Sequence, residues 1–196
     1  MLEQLSQFLP AFFKGLVTNF EIAIWCVTGG LLLGLPLAAA RLAGGIGGRA
    51  ADGLIAFFRA APTFVVMFFL VNVVPSVTPW LAVVLSLMVY GVAYVSDNAM
   101  EPIRQLRTGS HVMALLFVMS VVRAFFVMVL ASGFGAAVGV VEATTVTLRA
   151  IESMPQVSDR LMLIGLVMLL FTIGFQAIYQ AIDYARRKLE RRLRAG

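Results

Sequence analysis

Long apolar stretches separated by short basic turns fill nearly the whole chain, and no water-soluble fold can bury that much of them. Of the 196 residues, 61% are hydrophobic and 13% charged, whereas soluble domains average about 25% charged. The hydrocarbon core of a bilayer takes about 20 mostly apolar residues per helical crossing. An all-α polytopic membrane protein is therefore expected, with its function held in the few polar groups kept within the lipid.

Five stretches are long enough to matter. The first runs from Phe12 to Ala40, sufficient to cross with a tilt. It does not read as a cleavable leader, because Glu3 stands where a basic region belongs and the run exceeds the ~7–15 residues of a secretory core. The second runs from about Gly53 to Val74 and is interrupted by Arg59 and Pro62; the third runs from Trp80 to about Ser96. Val112 to Leu148 is apolar except for Arg123 and Glu142. A division at Arg123 predicts a short segment, Val112–Val122, too short to span, and a crossing from about Ala124 to Thr144. The fifth stretch runs from Leu161 to about Ile182 and leads into a basic tail, residues 183–196, so that residues 1–196 form a single transmembrane domain.

Lys and Arg are retained in short cytoplasmic loops, which orients such a bundle. The turns after the first and third stretches carry Arg41, Arg49, Arg104, Arg107 and Arg123, and the tail adds Arg186, Arg187, Lys188, Arg191, Arg192 and Arg194. Only Lys14, Arg149 and Arg160 fall on the opposite side. This asymmetry predicts an N-terminus outside and a C-terminus in the cytoplasm. The basic tail then faces anionic headgroups, worth about 1 kcal/mol per residue near the surface, and no nucleic-acid role is expected.

Several chemistries are excluded by composition. Cys26 is the only cysteine and sits mid-stretch, which rules out an intrachain disulfide or a thiolate metal site. His111 is the only histidine, so no histidine-based metal centre or catalytic triad is expected. The run Gly44-Gly45-Ile46-Gly47-Gly48 lies in a turn and lacks the Lys-Ser/Thr of a phosphate loop, reading as a flexible link. No enzyme activity and no metal or cofactor is expected of this chain.

Four local patterns resemble the permeases of polar amino acid ABC transporters, the histidine/glutamine/arginine type. Gly15-Leu16-Val17-Thr18-Asn19-Phe20-Glu21 is similar to their G-L-x-x-T-L-x entry, and Phe58-Arg59-Ala60-Ala61-Pro62-Thr63 to their F-R-G-T-P signature. Ala93-Tyr94-Val95-Ser96-Asp97 resembles A-Y-x-A-E, and the tail Leu189-Glu190-Arg191-Arg192-Leu193 ends as these permeases end. The resemblance implies a type I importer subunit in a bacterial inner membrane, paired with a second permease chain. A heterodimer is favoured over a homodimer. It also implies two cytoplasmic ATPase subunits that use ATP and Mg, and an external solute-binding protein.

In that family a short cytoplasmic helix between the third and fourth spans docks on the ATPase, with the pattern G-Q-x-E-A-A-x-x-L-G. Here residues 109–122 take its place. Gly109 keeps the opening glycine, but Val112 stands for the acid and Val118 for the second glycine. The family's Arg after A-Y-x-A-E is also missing, near Met100-Glu101-Pro102. Either the helix still docks through Leu115, Leu116 and Phe117, or the chain is the weaker-coupled half of an asymmetric pair, or no ATPase binds. In the last case the chain is a non-transporting membrane scaffold derived from a permease.

Polar groups within the stretches carry the substrate expectations. Glu142, near the outer end of the fourth, is suited to the ammonium or guanidinium of a cationic amino acid, or else is an interfacial acid satisfied by Thr144, Thr145 or Arg149. Arg59, beside the helix-breaking Pro62, is suited to a substrate carboxylate or to a structural pair with Glu21, Asp97 or Glu142. Glu21 is a third candidate, with an interfacial alternative. Asp97 and Glu101 form a charged rim with Arg104 and Arg107. Gly135 and Gly139 stand at the small-xxx-small spacing that lets helices approach, which makes the fourth span the expected best-buried helix. The connection from Ala150 to Asp159 is the expected contact for a solute-binding partner.

Overall fold

The computed structural model describes residues 2–106 and 112–195, all helix and short connections, with no strand among them. α1 (Leu2–Ala43) and α4 (Pro79–Leu106) form the most extensive helix pair. Glycines permit it: a Cβ on Gly34 would lie 2.9 Å from the Val92 carbonyl oxygen, and one on Gly30 3.1 Å from the Gly91 carbonyl carbon. Small residues let backbones close up where lipid supplies no hydrophobic drive. Ile22, Cys26, Val83, Leu87, Met128 and Val129 fill the core around this contact.

The second stretch is two helices. α2 (Gly45–Ala60) and α3 (Thr63–Val73) meet at 87°. A residue before proline is pushed out of the helical region, and Ala61 is accordingly extended at φ −70°, ψ 117°. Counting this broken pair as one, the described residues hold up to five helical units long and apolar enough to cross a membrane.

The division at Arg123 is not what the chain does. α5 (Val112–Ala131) runs unbroken through it, so residues 112–122 and the start of the expected fourth crossing are one helix. A single long cationic side chain does not interrupt backbone hydrogen bonding, and α5 has no internal proline or glycine to do so. Over 112–122 the expected separate helix is thereby corrected, and 109–111 lie outside the described residues. The break comes later, where a 3-10 segment (Ser132–Val138) ends at Gly139 with φ 92°, a left-handed conformation that glycine adopts freely. Gly135 accepts the Val140 N–H at 2.9 Å inside that turn. Gly139 therefore shapes the turn that leads to α6, while Gly135 packs closely against Val83 of α4.

After the turn come α6 (Ala143–Ser153) and α7 (Val157–Ala195). α6 occupies part of what reads as the fourth span and the outer connection. α4, packed by α1, α2, α3 and α5, is the best-buried helix in place of the fourth span. α7 packs on α5 and α6 and, through Phe171 and Leu163, on Phe8 and Phe12 of α1; Leu163 is its one buried side chain among the described residues.

Candidate functional site

Near the middle of α1 a buried polar cluster holds the turn before α6 in place. Glu142 is 0% exposed and is the N-cap of α6. The Thr144 N–H donates to its Oε2 at 2.7 Å, and the Thr145 N–H to its Oε1 at 2.8 Å. The Thr145 hydroxyl also reaches Oε1, at 3.1 Å. Asn19 of α1, 2% exposed, donates through Nδ2 to Glu142 Oε2 at 3.0 Å and to Ser132 Oγ at 2.7 Å. Its Oδ1 accepts the Ala143 N–H at 3.1 Å. Three of the free N–H groups that open a helix are thus satisfied inside the protein. A Cβ on Gly15 would fall 2.6 Å from the Ala143 nitrogen, so α1 presses directly on the start of α6.

Of the two roles open to Glu142, the structure shows the partners of the second. Its carboxylate is enclosed and engaged by protein donors, and its interfacial partners are Thr144 and Thr145, with Asn19 in place of Arg149. A discontinuous helix often points its N-terminus at an anionic substrate; here that terminus is closed by the chain's own acid.

At the C-terminal end of α1 four charges join three helices. Arg41, its side chain 12% exposed, donates through Nε to Asp52 of α2 at 2.6 Å and through Nη1 to Asp97 of α4 at 2.9 Å. The same Nη1 reaches Ser96 Oγ at 3.0 Å. Arg59 donates from Nη2 to the other Asp97 oxygen at 2.6 Å. Arg59 therefore takes the structural pair with Asp97, one of the two roles open to it, and ties the end of α2 to α4 just before the break at Pro62, the N-cap of α3.

The other expected residues are dispersed. Glu21 is exposed on α1 and makes no ion pair among the described residues. Glu101 meets Arg104 at 3.1 Å, while Arg107 and Gly109 lie outside the described residues. Leu115 is on α5, and Leu116 and Phe117 are half-buried there. Asp183 pairs with Arg187 at 2.8 Å. Sequence reasoning missed Asn19 as a partner of Glu142, and saw Arg41 only as a topological charge. A polar Asn inside an apolar run was the available signal for the first; the second pairs with acids far along the chain and offers none.

Neither a protein-family model nor a curated protein matches the sequence. Among solved structures, the chain matches one from a crystal structure of an amino acid ABC transporter with histidines, at TM-score 0.73 and 18% identity, over 94% of this chain and 96% of that one. The expected all-α architecture of several long apolar helices is that fold.

Proposed function

We propose that the chain is the permease subunit of an ATP-driven importer for a polar amino acid, a transporter component and not an enzyme. The observation that supports this most is the shared fold over 94% of its length. The sequence motifs support it too: Phe58–Thr63 falls on the α2–α3 break, and Ala93–Asp97 ends on the acid that binds Arg41 and Arg59. The end of the bundle carrying Arg41, Arg59, Asp97 and the α4–α5 connection faces the cytoplasm. ATPase subunits dock there, against the connection that includes Gly109 and the first turns of α5. The opposite end meets a solute-binding protein, and a second permease chain completes the pathway. With Glu142 and Arg59 engaged within the fold, Glu21 is the acid left available to a cationic substrate.

Co-expression with a candidate ATPase tests this. Co-purification, with ATP turnover raised by the binding protein and its amino acid, is the expected outcome. Leu116→Asp and Phe117→Asp should each lower turnover at least tenfold, about 1.4 kcal/mol of coupling. Intact turnover in both variants would remove the docking assignment, and a chain that never recruits an ATPase would remove the importer reading.

A further inference from the structure

Between Leu5 and Ala40, α1 carries only two charges, Lys14 and Glu21, and both are exposed. They belong to a series. Gln7, Lys14, Glu21 and Thr28 recur at seven-residue intervals, all four exposed, with half-buried Thr18 between the two charges. A seven-residue step drifts by only ~20° around a straight helix, so the series keeps to one face. A second exposed face, with Phe13, Val17 and Ile24, is apolar and suits lipid. Hydrocarbon would reject the polar face, because a charge within a membrane helix turns to a cavity or a partner.

Where this face passes α6 it opens on a cavity of about 550 Å³, lined by Lys14, Gly15, Thr18, Val141, Val146 and Arg149. Small-molecule sites occupy roughly 300–1,000 Å³. Lys14 and Arg149 are exposed, and neither forms an ion pair among the described residues. Glu142 adjoins the lining residue Val141, but it is wholly buried and its oxygens are held by Asn19, Thr144 and Thr145. It pairs with neither cation. Glu21 lies one turn beyond Thr18 on the same face, about 10 Å along the axis from Lys14 at ~1.5 Å per residue. Two cations and one acid thus stand unpaired and separated along one open face.

We propose that this face of α1, together with Arg149, is a substrate site on the import pathway that takes an amino acid with a cationic side chain. The substrate carboxylate lies in the cavity on Lys14 and Arg149, whose guanidinium offers a planar fork to its oxygens. The side-chain cation reaches Glu21, and the Thr18 hydroxyl serves the stretch between. The separation selects the ligand. A four-carbon stem such as that of lysine carries its charge well away from the carboxylate, whereas a neutral amino acid keeps both charges at one carbon and meets only one end. A partner surface of a single sign would likewise leave one end unmet. The class of ligand rests on the import reading; the pattern of charge does not.

The test uses the full-length chain purified with whatever membrane and ATPase subunits accompany it, without the binding protein. Binding of radiolabelled arginine is compared with displacement by agmatine, which lacks the carboxylate, and by glutamine, which lacks the cation. Arginine should bind at least tenfold more tightly than either. Lys14→Gln/Arg149→Gln should bring arginine down to the affinity of agmatine and leave agmatine unchanged. Glu21→Gln should weaken arginine and agmatine alike and leave glutamine unchanged. Lys14→Arg/Arg149→Lys should hold arginine within a few-fold of the parent. Because Cys26 is buried, Thr18→Cys should react with a membrane-impermeant maleimide and be protected by arginine, while Val17→Cys should stay unlabelled. No arginine binding, or equal affinity for the three ligands, would overturn the proposal. Unchanged arginine affinity in the Gln double variant would also overturn it and give the two cations to an acidic partner chain. Such results in a complex that still recruits an ATPase and imports would remove the site and spare the import reading; arginine binding as expected without ATPase recruitment would do the reverse.

Discussion

Removing the Glu142 carboxylate should destabilise the fold, and the size of the effect follows from its partners. Glu142→Ala removes the N-cap of α6 and strands the buried Thr145 N–H, while Asn19 Nδ2 keeps only Ser132. Cap loss costs about 0.5–2 kcal/mol and an unsatisfied buried donor about 1–3 kcal/mol, so about 3 kcal/mol is expected. For a chain of this size each kcal/mol moves Tm by roughly 2–4 °C, which gives a fall of about 6–12 °C. Glu142→Gln keeps the shape and one acceptor oxygen but turns an amide N–H₂ toward the second donor, and should lose about half as much. Glu142→Asp retains a good cap but draws back from Asn19, and should fall between Gln and the parent. Thermal unfolding in detergent, followed by the fluorescence of Trp25 and Trp80, reads all three. A Glu142→Ala protein melting within about 1 °C of the parent would refute the capping role, since an acid serving only a substrate could be removed without touching stability.

Other sites make separable predictions. Gly15→Ala puts a methyl against backbone that cannot step aside, and overpacking of this kind costs about 1–3 kcal/mol; a Tm unchanged from the parent would show that α1 and α6 are free to separate. Arg41→Met, at the less exposed hub, should cost about 1–2 kcal/mol, whereas Arg59→Met, at a side chain 60% exposed, should cost under about 1 kcal/mol. The same melts at low and high salt check the order, with the Arg59 variant showing the smaller difference from the parent. Gly34→Val should prevent the close approach of α1 to the Val92 carbonyl, and recovery of less than about a third of the parent's folded yield after purification is the expected outcome.

What composition and hydropathy could establish is everything that depends on transfer from water to lipid, because that free energy is a sum over local residues. The membrane class, the approximate places of the apolar runs and the break at Pro62 all follow from it and from the steric restriction before proline. Local reading failed where long-range pairing decides. Arg123 reads as an interruption because charge in lipid is costly, yet helical hydrogen bonding passes through it and α5 continues. Gly135 and Gly139 match a packing spacing, but Gly139 uses its freedom for a left-handed turn that ends the 3-10 segment. Glu142 looked like an acid facing a pathway; its two nearest caps are written into the next three residues, while the closing partner, Asn19, lies 123 positions away. Arg41 likewise finds Asp97 at a separation of 56 residues. Burial of a charge depends on what the rest of the chain folds against it, and no stretch of sequence carries that information alone.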